Sequence, residues 1–394
     1  MIKETILATT LTALAYSAEP MQWSKEELFA IPQTFSDAGL EKYRVEGVRS
    51  FLLEGPKSAD GKTTKVYVYY ALPDGPAPEG GFPAVVLFHG GGGTAFASYV
   101  KSWAARGYAA ITFDHYGQEP AFEIERPKRP VLKGSWQDIA GTFGEGNDAM
   151  RHLWVHNGVA LAIRANTFLR QQKEINPDKI GLLGISWGSV MGSIACSLDH
   201  RFAFAALCYG CGNWDLGADG GFIKYAKDTF EPKYFMENLT VPTMWIAGTN
   251  DGAFEIAQWQ KTYQQAPGTQ GVALVVRLDH DHVGWDYLGL QRYVDSFCNK
   301  DTSLPRISGI SVNGNRARAI VLDPGDGVKR AELIYSLDEK PGVKREWKTL
   351  PAEVKGNVVS APIPAGAKAV YLNIYDRDYS GAWQWPASTD VVEL

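Results

Sequence analysis

The stretch Asp178-Lys179-Ile180-Gly181-Leu182-Leu183-Gly184-Ile185-Ser186-Trp187-Gly188-Ser189 decides the reading of this chain. Lys179 to Ile185 is a short apolar run of the kind that forms a buried strand, and the segment after it reads as helix. Between them, Gly184-Ile185-Ser186-Trp187-Gly188 sets a serine on a GxSxG turn. The two glycines let the chain turn sharply without a Cβ clash, so the hydroxyl stands at the C-terminal edge of a sheet. The Trp187 backbone N–H, at the start of the helix, can donate to an oxyanion. A GxSxG string alone is weak. Its strand–turn–helix context makes Ser186 a candidate nucleophile.

Working outward, further apolar, β-rich runs cover Lys65 to Leu72, Ala84 to Phe88, Ala109 to Phe113, Phe202 to Leu207, Thr243 to Ala247 and Val272 to Leu278. Helical stretches separate many of them, which indicates a largely parallel sheet covered on both faces. Before the serine strand, Leu153, Ala160, Leu161 and Phe168 recur with helical period, and Asn176-Pro177-Asp178 punctuates the end of that helix. Near Leu304-Pro305 the helical periods stop. Arg316 to Leu322, Glu332 to Ser336, Asn357 to Ala361 and Ala369 to Tyr375 read as short strands between Gly, Pro and Asp clusters, the pattern of a small β-sandwich. Its aromatics, Trp347, Tyr371, Tyr375, Trp383 and Trp385, fit core positions at strand spacing better than a carbohydrate platform. The expected division is a signal segment over 1–18, an α/β domain over 19–303 and the sandwich over 304–394. Gln118 to Gly144 has no clear period and is a candidate lid.

Ala84 to Phe88 runs into His89-Gly90-Gly91-Gly92-Gly93. Glycines there let backbone N–H groups of Gly91 or Gly92 approach a developing negative charge. No Lys-Ser/Thr pair follows, so a nucleotide loop is not indicated. His89 reads as a loop brace rather than a base. The turn Gly248-Thr249-Asn250-Asp251-Gly252 follows the strand Thr243 to Ala247. Asp251 there can orient a histidine and stabilise it as it gains a proton; an Asx-turn role is the alternative. After the next strand comes Asp279-His280-Asp281-His282. Position allows either histidine as base. His282 has two more residues of reach from a strand taken to end near Leu278 and is the expected base, with His280 as a brace or neighbouring donor. A metal site would need a third ligand at suitable spacing, which the neighbouring sequence does not supply. No metal and no cofactor is expected.

Composition narrows the classes. The net charge is −5 and no basic run occurs, which argues against a nucleic-acid partner. Lys3, the apolar run Ile6 to Ala15 and the small-x-small triplet Ala13-Leu14-Ala15 resemble a secretory signal. That run is too short to anchor in a bilayer, and no other membrane span is found. Four cysteines are too few for a disulfide framework in 394 residues. Cys208-Tyr209-Gly210-Cys211 has CxxC spacing but no second pair, so a structural role is favoured over redox or metal chemistry.

At these motifs the chain resembles the acetylxylan-esterase and dienelactone-hydrolase-like branch of the α/β-hydrolases, related also to the catalytic domain of prolyl oligopeptidases. The matching stretches are HGGGGTAFASYVKSWAARGYAAITFD from His89, DKIGLLGISWGS from Asp178 and IAGTNDGAF from Ile246. The resemblance runs from about Phe82 to Cys298. It implies Ser186 as nucleophile, Asp251 as acid, a histidine of the 280–282 segment as base, and Gly91 or Gly92 with Trp187 as oxyanion hole. The segment around His282 resembles the region of the catalytic histidine in prolyl-oligopeptidase-like enzymes. True dienelactone hydrolases have a cysteine where Ser186 stands, and the chain lacks room for an N-terminal propeller. Both departures favour ester substrates; acetyl esters of carbohydrates follow from the resemblance alone. Trp187, Trp214 and Trp285 lie near the motifs and suggest a pocket narrow enough for short acyl groups. A peptidase or amidase is the alternative enzyme, and a non-catalytic carbohydrate- or protein-binding protein on the same fold is the alternative class. A small-molecule or carbohydrate ester is the expected partner.

Overall fold

A computed structural model describes residues 22–58, 61–121, 129–135, 148–217, 230–281, 283–298, 302–339, 345–378 and 385–394. The segment 1–18 expected to be a signal lies outside the described residues, as do Trp383 and most of the candidate lid. None of the described helices is long and apolar enough to cross a membrane.

The first part of the chain carries β1 (Thr34–Phe35), β2 (Arg49–Lys57), β3 (Thr63–Ala71), β4 (Phe82–Phe88), β5 (Ala109–Phe113), β6 (Ile175–Ile185), β7 (Phe204–Cys208), β8 (Thr243–Gly248) and β9 (Thr269–Val275). Between and around them lie helices α1 (Lys25–Phe29), α2 (Ala97–Ala105), α3 (Asp148–Arg170), α4 (Trp187–Leu198), α5 (Ile256–Gln265) and α6 (Leu288–Cys298). The strands form one sheet in the order β1-β2-β3-β5-β4-β6-β7-β8-β9. Pairing is parallel from β5 through β9 and antiparallel from β1 to β3 and at the β3–β5 join. The sheet is therefore mostly parallel and doubly wound, as expected.

Side-chain alternation explains the two covered faces. On β4, Val86 and Phe88 join a cluster with Leu161 of α3 and Met191 and Ile194 of α4. Val85 and Leu87 point the other way, to Val100 and Trp103 of α2 and Leu290 and Val294 of α6. Both faces are dry, so every residue of β5, β7 and β8 is buried. The Asn176-Pro177-Asp178 segment is not the end of α3, which stops at Arg170; it lies in the irregular start of β6.

The remaining strands are β10 (Pro305–Ile307), β11 (Ser311–Asn313), β12 (Arg316–Pro324), β13 (Arg330–Ser336), β14 (Lys348–Pro351), β15 (Glu353–Lys355), β16 (Val358–Pro362), β17 (Ala369–Tyr375), β18 (Ala387–Ser388) and β19 (Val392–Glu393). They make two sheets, β10-β12-β16-β15 with β11 on β12, and β14-β13-β17-β18 with β19 on β17. Ala317, Ala319 and Val359 of one meet Leu333, Val370, Leu372 and Ile374 of the other, which makes a small sandwich. The far face of the second sheet is also covered: Ile334 and Tyr371, with Trp347 beside them, belong to the larger cluster of the main sheet. That double burial is why all of β17 is inaccessible. Trp347, Tyr371, Tyr375 and Trp385 are buried, which is a packing role.

Arg292 of α6 forms a buried bidentate pair with Asp376, at 2.9 and 2.8 Å. Next to it, Gly289 has no room for a side chain, since a Cβ would fall 1.5 Å from the Trp385 ring. Gly289→Ala must push α6 away from Trp385. It should lower stability by about 1–3 kcal/mol, the usual overpacking range, measured by thermal unfolding. An unchanged midpoint would contradict this packing.

Candidate active site

The parallel strands deliver their C-terminal ends to one edge of the sheet. Ser186 follows β6 directly, with φ 54° and ψ −119°. That conformation costs a non-glycine residue about 1–3 kcal/mol and persists only where its surroundings fix it. Here they do. The Ser186 N–H donates to Cys208 O at 2.8 Å, and Ser186 O accepts from Ser189 N and Val190 N to start α4. A Cβ on Gly188 would lie 1.9 Å from Phe88 O, and one on Gly184 would lie 2.6 Å from Gly188 O. Both glycines of the motif are demanded by backbone-to-backbone contact.

Asp251 stands in the turn after β8, nearly buried at 3% exposure. Its Oδ1 accepts from Ala253 N at 2.8 Å and Phe254 N at 3.1 Å. His280 lies between acid and serine. Its Nδ1 is 3.0 and 3.1 Å from the Asp251 oxygens, and its Nε2 is 2.9 Å from Ser186 Oγ. The Tyr209 ring lies 5.0 Å from the imidazole and the Phe254 ring 6.0 Å.

The structure thus brings Ser186 and Asp251 together with His280, where the sequence favoured His282. His282 itself lies outside the described residues. The physical reason is that β9 ends at Val275, three residues before the Leu278 end read from the apolar run. Arg277 adopts φ 60° and donates its N–H to Thr249 Oγ1, turning the chain at once toward the site. Asn250 Nδ2 holds Asp279 Oδ1 at 2.8 Å. His280 therefore already has the reach that a base over Ser186 requires.

The Gly-rich loop follows β4 beside the elbow. His89 braces it, as expected. His115 N donates to His89 Nε2 at 3.4 Å, which leaves the proton on His89 Nδ1 to meet Gly90 O at 2.9 Å. His115 stacks on that ring with centroids 3.8 Å apart, accepts Trp154 Nε1–H on Nδ1 at 2.9 Å and donates from Nε2 to His89 O. Arg129 pairs with Asp114 and donates to Gly93 O at 2.8 Å, so a buried ion pair ties the same loop down. Of the two loop amides expected to face an oxyanion, that of Gly92 already has an acceptor, Tyr116 Oη at 3.0 Å. Gly91 is half-buried beside it, and Trp187 occupies the first position of α4.

Tyr116 is a site residue that the sequence did not disclose. Its only linear signal is its place just after β5. Trp154 is a second. It stacks on Tyr116 and stands 4.8 Å from Trp187, which in turn is 6.0 Å from Trp214. Trp285 is packed away, donating to Leu183 O. All four cysteines are free and buried, so the CxxC pair is not a disulfide. Among the described residues no group of His, Cys, Asp and Glu is arranged to hold a metal. A cleft of about 610 Å³ lies between β9 and β10, far from this chemistry: Ser186, Asp251 and His280 do not line it.

An imidazole bonded to a hydroxyl on one side and a carboxylate on the other can take the hydroxyl proton as that oxygen attacks an electrophilic carbon. A mostly parallel sheet whose strand ends carry serine, acid and histidine in that chain order is an α/β-hydrolase. The family model for the dienelactone hydrolase family matches residues 66–278, more than half of the chain, and the protein belongs to that family. It is therefore a hydrolase. Among solved structures it is similar to an acetyl xylan esterase from Paenibacillus sp. R4, with 17% identity over 71% of this chain and 97% of that one, TM-score 0.51. It is also similar to acetyl xylan esterase 1 from Thermoanaerobacterium sp. JW/SL YS485, at 13% identity over 70% of this chain and 95% of that one, TM-score 0.46. A puromycin-hydrolysing peptidase from Mycobacterium tuberculosis matches at 19% identity over 64% of this chain and 38% of that one, TM-score 0.47. At such identities the likeness is one of fold. No curated protein matches the sequence.

Burial, with the neighbouring His89 second, pushes the His115 pKa well below its ordinary value. The unfolded chain therefore binds a proton at His115 that the folded chain refuses. The stability from this group is complete above the unfolded value of about 6.5 and is lost as pH falls below it, by about 1.4 kcal/mol per unit. Between pH 8 and pH 5, His115→Gln should lose less stability than the wild type, read from denaturant unfolding at both pH values. Equal losses would contradict a buried, uncharged His115.

Proposed function

We propose that the protein is a serine esterase that hydrolyses short-chain carboxylic esters, acetyl esters foremost, through an acyl-enzyme. The observation that carries this reading is the single imidazole spanning from Asp251 to Ser186, with 3.0 Å on one side and 2.9 Å on the other. Ser186 Oγ attacks the ester carbonyl while His280 Nε2 takes its proton. The buried Asp251 carboxylate stabilises the imidazolium and holds the ring in register. Backbone N–H groups of Gly91 and Trp187 stabilise the oxyanion; at Gly92 the Tyr116 phenol would compete for the amide. Collapse of the tetrahedral intermediate expels the alcohol, which takes the proton back from His280. Water then repeats the sequence on the acyl-serine and releases the acid. No step requires a metal or cofactor.

The Trp187 indole, on the residue after Ser186, packs against Trp154 and Trp214, and this rigid cluster beside the nucleophile in sequence supports the short-acyl reading. The name of the Paenibacillus fold relative makes acetylated xylan the first polymer to assay. The division into an α/β domain over 19–303 and a sandwich over 304–394, and export directed by the first eighteen residues, belong to the same proposal and rest on sequence pattern.

Ser186→Ala should lose on the order of 10⁶ in kcat toward p-nitrophenyl acetate. His280→Ala should fall by several orders of magnitude, while His282→Ala should stay within about tenfold. Activity in His280→Ala with none in His282→Ala would transfer the base to His282. In the acyl series, kcat/KM for acetyl should exceed that for octanoyl, since a rigid indole wall does not repack for a long chain. Equal or better octanoyl turnover would remove the short-acyl assignment.

A further inference from the structure

Among the described residues the edge strand β9 pairs with β8 on one side only, in a register that sets Ala247 beside Leu274 and Gly248 beside Val275. Val275 O accepts from Thr249 N across that pairing, so the N–H and C=O of Leu274, one residue earlier, face away from the sheet. Open edge groups normally meet water or another strand. Here C-terminal side chains meet them. Ser388 Oγ accepts from Leu274 N at 2.8 Å, while Asn373 Nδ2 and Tyr371 Oη donate to Leu274 O at 3.3 and 3.4 Å. Tyr371 and Asn373 are fully buried. Among the described residues Asn373 Oδ1 has no partner, a standing penalty that an apolar residue would avoid. Six residues beyond Leu274 comes His280.

The acid side is held in the same way. The α5 helix, which follows Asp251, docks on the C-terminal strand ends. Tyr263 Oη and Gln264 Nε2 donate to the Asp390 carboxylate at 2.6 and 3.1 Å. Gln260 exchanges two hydrogen bonds with the Val391 backbone, at 3.1 and 2.7 Å. Among the described residues Ser186 has no such tie to the sandwich; its backbone hydrogen bonds run to β7 and α4.

From this we infer that the sandwich is a positioning element for the acid–base half of the site. Through Tyr371, Asn373 and Ser388 it fixes the end of β9, and through Asp390 and Val391 it fixes α5, so that His280 and Asp251 are held opposite Ser186. The inference rests on the esterase reading for its kinetic consequence. Ser388, Asn373 and Asp390 are positioning residues that touch no substrate.

The test uses the full chain with three variants: Ser388→Ala, Ser388→Thr and, on the less buried acid side, Asp390→Asn. Two readouts are taken, kcat and KM for p-nitrophenyl acetate and the low-field proton resonance of His280 Nδ1–H, assigned by its loss in His280→Ala. Small misplacements of reacting groups cost rate rather than binding. Ser388→Ala should lower kcat about tenfold or more with KM within about twofold, and broaden the resonance. Ser388→Thr, which keeps the hydroxyl, should restore both. Asp390→Asn should act in the same direction as Ser388→Ala, and decides the matter if Ser388→Ala does not fold. Wild-type kcat and an unchanged resonance in folded Ser388→Ala or Asp390→Asn would overturn the inference. So would a rise in KM at constant kcat, which would make the sandwich a substrate-binding part. If wild-type activity survives Ser186→Ala, the esterase reading fails, while the resonance comparison still decides whether the sandwich holds His280.

Discussion

The site depends on a backbone that most residues would refuse. Ser186 sits at φ 54° because the chain leaving β6 must reverse into α4 within one residue while β4 and β7 crowd it from both sides. Gly188 meets Phe88 O, Gly184 meets the Gly188 backbone, and a Cβ on Gly210 would fall 2.3 Å from Ser189 Cβ. Such contacts leave no slack, so the hydroxyl position is set by the core of the sheet. Rigid positioning of this kind is what a nucleophile requires, because catalysis is lost when reacting groups drift by fractions of an ångström.

The same strain recurs around the imidazole. Tyr209 after β7 and Arg277 after β9 also have positive φ, at 61° and 60°. The first brings a phenol ring against His280, and its hydroxyl pairs with that of Tyr287. The second turns the His280 segment back over the sheet. Neighbouring strand ends thus each give up backbone comfort to aim one side chain. Clustering of strained residues at one edge is the pattern of a functional site. The surrounding polar groups are fixed too: Asp251 holds two backbone N–H groups, and the Gly-rich loop is tied by Arg129, His89 and His115.

Much of this was legible in the sequence where burial dictates composition. The runs of β5 and β17 could be bounded at both ends because both faces are dry and the apolar signal is continuous. Ser186 and Asp251 followed from strand ends and turn residues. The antiparallel β2 carries no such continuous signal, since its RSFLLEGPK holds charge and a Gly-Pro pair. The choice between the two histidines turns on one physical feature. Leu278 is apolar and buried, yet it lies beyond the left-handed Arg277 and packs its carbonyl under Gly248 rather than extending β9. Periodicity cannot distinguish a buried loop leucine from a strand leucine. Tyr116 and Trp154 stayed hidden for a different reason: they enter the site through contacts with Gly92 and Trp187 that no local pattern encodes.

The central claim is that Ser186 is a nucleophile activated by His280. It is tested most directly by treating the full chain with a fluorophosphonate ester and locating the adduct by peptide mass spectrometry. The account predicts one phosphonyl group, on Ser186, formed in step with loss of esterase activity and slowed by orders of magnitude in His280→Ala. An adduct on another residue, or a Ser186 that reacts equally fast without His280, would contradict it.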